Sequence, residues 1–244
     1  MTPPEHDHRP DAPAGAVLFD IDGTLVDSTY LHVHAWMRAL TDLGDELDRP
    51  VDSWRIHRGI GMGSSLLLAE LLGDDAAERL GGRAKDRHEH HYRELTAQQG
   101  LQRTFDGARE LVRAVAERGA RAVLATSAAP AELAELRKAL DLDDGVAGIT
   151  SADDVEAAKP EPDLVRAALD VAGTPPERAV MVGDTGWDVE AAHRAGVACV
   201  AVTTGGWSEA ELHAAGAAAV YRDAAALLAD LDQSPLALTW HHED

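Results

Sequence analysis

Short apolar runs recur along the chain: Ala16-Val17-Leu18-Phe19, Ala120 to Ala125, Val146 to Thr150, Ala179 to Val182, Val197 to Val202 and Ala218 to Tyr221. Runs this short, bounded by Gly, Asp or Thr, predict buried strands, with the last one at a sheet edge. Stretches with helical spacing lie between them. Ala108 to Arg118 precedes Gly119, Leu133, Leu136 and Leu140 follow Pro130, Asp163 to Ala172 precedes Gly173, and Ser208 with Glu211 forms a capping box. A repeated strand–helix unit predicts a parallel sheet with right-handed crossovers and helices on both faces, an α/β, Rossmann-like doubly wound core.

The alternation fails between Thr29 and Leu101, where no strand is evident. Leu31, Ala35, Trp36, Ala39, Leu40 and Leu43 form the stripe of an amphipathic helix over Tyr30 to Gly44. Trp54 to Ser65 reads as a Gly-rich loop carrying Arg55, His57 and Arg58. It leads into a helix at Leu66 to Leu72 and a third from Asp74 or Asp75 toward Gln99. A purely helical block inside an alternating chain predicts an insertion. The expected organisation is a disordered leader over 1–14, a core over 15–28 and 102–233, a helical insertion over 29–101, and a tail over 234–244 that carries no structural signal.

The formal net charge of −21 argues against nucleic-acid binding, which works through clustered Lys and Arg. No apolar run is long enough to span a membrane, and Met1 to Ala14 does not fit a secretory signal. The one cysteine, Cys199, fits a buried position and a reducing cytoplasm. His88, His90 and His91 with Glu94 fit a solvated helix face better than a metal patch, and His6, His8, His241 and His242 fall in the terminal segments.

The chemistry concentrates in Asp20-Ile21-Asp22-Gly23-Thr24-Leu25-Val26-Asp27-Ser28, where the first strand runs out. Ligands bind at that edge of an open α/β sheet. Asp20 and Asp22 alternate with Ile21, so an extended backbone points both carboxylates to one side, where a cation and an anionic substrate would relieve their repulsion.

This nonapeptide resembles the first motif of the haloacid dehalogenase superfamily, in the two-Asp form of its phosphatases and phosphomutases. The remaining motifs follow in order, each after a strand. Thr126 matches the second, Lys159 the third, and Gly183-Asp184-Thr185-Gly186-Trp187-Asp188 resembles the fourth. Lys159 is one of only three lysines. The resemblance covers the core from about Ala16 to Asp232 and makes the insertion a cap.

The resemblance implies Asp20 as nucleophile, Asp22 as proton carrier, Thr126 and Lys159 on the phosphoryl group, and Mg²⁺ held by Asp20, the Asp22 carbonyl and Asp184. Asp188 is a direct ligand or stands behind one. Gly23, Thr24 and Ser127 are placed beside the substrate. Because the cap carries specificity in this family, Arg55, His57 and Arg58 become candidates for the substrate's anionic end; as exposed loop cations they would have no such role. The implied activity is hydrolysis of a small phosphorylated metabolite through an aspartyl-phosphate, in an enzyme like the phosphoglycolate phosphatases or beta-phosphoglucomutases. A sugar phosphomutase ranks lower, since relatives with that activity carry a Lys where this chain has Ser127-Ala128-Ala129-Pro130. Asp22 disfavours a dehalogenase or a phosphonatase. A non-catalytic binding or regulatory protein on this scaffold is the remaining alternative.

Overall fold

A computed structural model describes residues 14–47, 50–99, 103–128, 130–142, 145–151 and 157–240. The leader up to residue 13, the four terminal histidines and the expected core–insertion boundary at 101/102 lie outside the described residues. Six parallel strands form one sheet: β1 (Ala16–Phe19), β2 (Arg121–Ala125), β3 (Gly148–Thr150), β4 (Ala179–Gly183), β5 (Ala198–Val202) and β6 (Ala219–Tyr221), in the spatial order β3-β2-β1-β4-β5-β6. The order reverses at β1, so the crevice at the switch point opens between the ends of β1 and β4.

The period of two along each strand divides the core into two layers. Val17 and Phe19 of β1, Ala122 and Leu124 of β2, and Val180 and Val182 of β4 pack on one face. Their partners there are Leu111 and Val115 of α5 (Ala108–Glu117), Leu136 and Leu140 of α6 (Pro130–Leu140), and Leu227 of α10 (Ala224–Ala229). Ala16, Leu18, Val123 and Met181 face the other way. They meet Leu164 and Ala168 of α7 (Asp163–Ala172), Val189 of α8 (Gly186–Arg194) and Leu212 of α9 (Glu209–Ala215). Cys199 is buried in this second layer.

The helical block consists of α1 (Thr29–Thr41), α2 (Ser53–Gly59), α3 (Ser64–Leu72) and α4 (Asp74–Gln99). It has its own cluster, with Trp36, Leu40, Ile56, Leu67, Leu68 and Leu80 at its centre. The predicted loop at Trp54 to Ser65 is corrected: residues 53–59 are helical, and only 60–63 form a loop. No Gly or Pro interrupts Ser53 to Arg58, and Ile56 is fully buried in the block's core, so packing carries the turns through.

A second correction concerns the expected featureless tail. Pro235–Thr239 forms a 3₁₀ turn with Leu236 fully buried. It lies so close to Gly15 that a Cβ there would overlap the Thr239 backbone.

Candidate active site

Adjacent strands bring the acidic motifs together. The register pairs Phe19 with Val182, and the Asp20 N–H donates to the Val182 carbonyl at 2.9 Å, so the ends of β1 and β4 deliver Asp20 and Asp184 side by side. Both are almost fully buried, at 5% and 1% exposure. Thr24 Oγ1 links them, lying 2.9 Å from Asp184 Oδ1 and 3.3 Å from Asp20 Oδ2. Lys159, just ahead of α7, reaches in from the side, donating to Asp20 Oδ1 and standing 2.6 Å from Asp188 Oδ1. Asp188 Oδ2 accepts from the Thr185 N–H at 3.0 Å and from its hydroxyl at 2.6 Å, closing the capping box that starts α8. The Asp188 carboxylate is therefore committed to holding Lys159 and the first turn of α8.

Asp22 turns out of this cluster. Its Oδ1 accepts from Ser28 Oγ at 2.5 Å, and its Oδ2 lies 3.4 Å from Thr126 Oγ1. Thr126 Oγ1 also accepts the Ala128 N–H at 3.0 Å. Ser127 Oγ, next along, is buried and has no hydrogen-bond partner among the described residues.

The protonation balance follows from this geometry. Burial pushes the Asp20 carboxyl up to about 7, Asp188 and Asp22 add repulsion, and Lys159 opposes the rise. Burial likewise lifts Asp184 well above the usual carboxylate range, aided by the charges of Asp188 and Asp20. Burial works against the Lys159 ammonium, but Asp188 and Asp20 outweigh it and hold it charged. Burial also opposes ionisation of Asp22, yet hydrogen bonds from His32 and Ser28 and the charges of His32 and Lys159 hold its carboxyl below the ordinary value.

Asp20 and Asp184 are thus short of positive charge. Oxygens of Asp20, Asp184 and Asp188 lie within 4.8 Å of one another, and buried Asp184 Oδ2 has no hydrogen-bond partner among the described residues. An all-carboxylate donor set with an unsatisfied oxygen fits a hard divalent cation.

Two glycines seat that oxygen. A Cβ at Gly23 or at Gly205 would overlap Asp184 Oδ2. Gly23 also has φ of 82°, a left-handed turn that favours glycine. We expect Gly205→Ala to cost about 1–3 kcal/mol of stability through overpacking and to raise the divalent-cation concentration for half-maximal activity at least about tenfold, one pKa-unit-sized perturbation of a ligand. A metal titration of the activity of wild type and variant reads this directly, and an unchanged midpoint would contradict the seating role.

The profile of the haloacid dehalogenase-like hydrolases matches residues 14–196. The chain belongs to that family. Among curated relatives, a phosphoglycolate phosphatase of Rhodospirillum rubrum is 33% identical over 87% of this chain and 88% of its own. A 5'-nucleotidase of Pseudomonas aeruginosa is 34% identical over 81% of this chain and 86% of its own. The crystal structure of a hydrolase from Pseudomonas syringae superposes with a TM-score of 0.80 at 36% identity, covering 90% of this chain and 98% of that one. The protein is accordingly a phosphoric monoester hydrolase of the haloacid dehalogenase type.

In this hydrolase Asp20, Asp22, Gly23, Thr24, Thr126, Ser127, Lys159, Asp184 and Asp188 converge at one sheet edge. The cap candidates divide. Arg55 donates to the Glu70 carbonyl at 2.8 Å and is spent within the cap. Arg58 and His57 instead bridge to the core. The Arg58 guanidinium lies 3.5 Å over the Trp207 ring and donates to Glu211 Oε1 at 2.8 Å. His57 Nε2 is 2.8 Å from the Gly205 carbonyl, and Trp187 Nε1 donates to the Arg58 carbonyl at 2.9 Å. Trp187 thus packs across the seam, edge-on to Trp207.

The sequence reading missed His32 and Glu132, took His88 for part of a solvated face, and read Gly205 only as a turn on the edge that faces the site. His32 Nε2 lies 3.5 Å from Asp22 Oδ1 and 3.0 Å from Glu132 Oε1. His88 leaves the solvated face assigned to it: it stacks on Trp36 with ring centroids 4.2 Å apart and meets His32 Nδ1 at 3.2 Å. The signal for His32 was its place beside Leu31 on the α1 stripe, flanking Ala35 and Trp36. His90, His91 and Glu94 do cluster on the cap surface, where His91 also pairs with Asp42 at 2.8 Å.

Proposed function

We propose that the protein is a Mg²⁺-dependent phosphatase of a small phosphorylated metabolite, working in the cytoplasm through an aspartyl-phosphate on Asp20. The observation that carries this reading is the division of labour between the two motif aspartates. Asp20 is buried against Lys159 beside the unsatisfied Asp184 oxygen, while Asp22 is held apart by Ser28 and Thr126.

In the first displacement an Asp20 oxygen bonds to phosphorus, the bond to the leaving oxygen breaks, and Asp22 gives that oxygen a proton. In the second, Asp22 takes a proton from water whose oxygen attacks phosphorus. Phosphate then leaves, and Asp20 is regenerated. Lys159 offsets charge on Asp20 and the phosphoryl oxygens, with Asp188 holding it in place. The Ser127 hydroxyl, without a hydrogen-bond partner among the described residues, is a donor for the phosphoryl group, whereas the N–H groups of Gly23 and Thr24 already donate to the Val26 and Ile21 carbonyls. Mg²⁺, held by Asp20, Asp184 and the Asp22 carbonyl, with Asp188 behind them, would supply charge neutralisation at the transferring group.

The two named relatives frame the substrate as a small phosphorylated acid or a nucleoside monophosphate. His57 and Arg58 act on that choice by setting how the cap meets the core, with Arg58 engaged by Trp207 and Glu211. A panel of phosphoglycolate, nucleoside monophosphates, sugar phosphates and p-nitrophenyl phosphate, assayed for phosphate release with Mg²⁺, tests the reading. Conversion of a sugar phosphate to its isomer without phosphate release would favour a mutase. No turnover of any substrate would leave only the binding-protein alternative.

A further inference from the structure

Glu132 stands in the first turn of α6, six residues beyond the second-motif Thr126. Its Oε1 is 3.0 Å from His32 Nε2, the same nitrogen that lies 3.5 Å from Asp22 Oδ1. His32 and both carboxylates are largely shielded, the imidazole at 12% exposure and Glu132 at 17%. One ring nitrogen thus stands at ion-pair distance from two carboxylates, and the shorter distance belongs to Glu132, whose Oε1 has no other hydrogen-bond partner among the described residues.

The ring cannot swap its nitrogens to escape this competition. It stacks on Tyr92 with centroids 4.2 Å apart and planes within 9°. Its Nδ1 lies 3.2 Å from His88 Nε2. Burial, together with the charges of His32 and His91, pushes His88 down to about 2, so His88 stays neutral and can accept the Nδ1 proton. With Nδ1 engaged by His88, which itself stacks on Trp36, Nε2–H is the ring donor left to share.

We propose that Glu132, acting through His32, is a positioning residue for Asp22: it draws the imidazole to itself, so that Asp22 Oδ1, which already accepts from Ser28 Oγ, keeps its second lone pair to carry the leaving group's proton. This deepens the phosphatase reading and rests on its assignment of Asp22 as the proton carrier. Without Glu132 the Nε2–H has Asp22 as its sole acceptor and ties down the oxygen that has to serve the substrate. Glu132 also links α6 to α1 and α4, since His32 and His88 come from those two helices, and a purely structural strut would use the same contacts.

The two roles separate by leaving group. p-Nitrophenolate departs without a proton, whereas an alkoxide needs one, and kcat/KM reports the steps up to formation of the phospho-enzyme. In Glu132→Gln, which keeps the side chain's shape, kcat/KM is expected to fall about tenfold or more for an alkyl phosphate and less than about twofold for p-nitrophenyl phosphate. Glu132→Asp should restore much of the loss. In a His32→Asn background, Glu132→Gln should add nothing, because the intermediary is already gone. Equal losses on the two substrates, or additive losses in the double variant, would overturn the positioning role and leave a strut. If the wild-type protein turned over neither substrate with Mg²⁺, the phosphatase reading itself would fall, and this inference with it; the wild-type control therefore tells the two failures apart.

Discussion

Asp20→Asn is expected to fold and to release no measurable phosphate, a loss of at least about 10⁴-fold when the group that forms the covalent intermediate is removed. The fold should survive because Asn has the shape of Asp and because Lys159 keeps Asp188 at 2.6 Å as a counter-charge. The metal-free variant should be no less stable than wild type. Asp20 is pushed up to about 7 by burial and by its acidic neighbours, so in the metal-free protein its ionised form is a burden on the cluster. A melting curve beside the phosphate assay checks both halves. Turnover that persists in the variant would move the covalent step away from Asp20, and a collapsed melting transition would show that the Lys159 pair is needed for folding.

Chelation carries the second large effect. Removing divalent metal is expected to extinguish phosphate release, and Mg²⁺ to restore it. At a hundred times its Kd, Mg²⁺ should stabilise the fold by about 2.7 kcal/mol, a melting shift of roughly 5–10 °C for a chain of this size.

The pH dependence has a definite sign. Asp20 rises from 3.8 to about 7 on folding, and Asp184 is raised well above 3.8, so the metal-free fold binds more protons than the unfolded chain over that interval. The stability this lends is fully present below about pH 4 and is lost as the pH climbs through 7. Mg²⁺ competes with those protons, so its stabilising shift should grow over the same window. Asp184→Asn should abolish the shift. A Mg²⁺ effect that is flat from pH 5 to 8, or that survives Asp184→Asn, would place the metal elsewhere.

Much of this was legible in the chain because the strands are buried on both faces and therefore read as apolar runs. Ala179 to Val182 and Asp163 to Ala172 emerge almost residue for residue, as does the Ser208–Glu211 capping box. The acidic cluster was legible because each member follows such a run within a few residues. The parts that stayed hidden depend on contacts between distant segments. Glu132, His32 and His88 meet from three helices, and no local pattern marks a histidine that pairs with a carboxylate a hundred residues away. Gly205 looks like an ordinary turn glycine until Asp184 is placed against it. The helix over residues 53–59 was obscured by Gly59, Gly61 and Gly63, although the first of these only ends it. Pro235–Thr239 packs against Gly15, more than two hundred residues earlier in the sequence, a contact that no local pattern marks.

The strand order also bears on how the chain is made. β1 is synthesised before every other strand of the sheet, yet it lies inside the sheet, with β2 on one side and β4 on the other. Until β4 has been synthesised, some 160 residues later in the chain than β1, one edge of this fully buried strand has no partner. Such an edge invites pairing with other nascent chains. The same delay keeps Asp20 and Asp22 from meeting Asp184 and Gly205, so phosphate release can begin only once that edge has been closed. In a translation time course, enzymatic activity would therefore mark the end of the chain's aggregation-prone period.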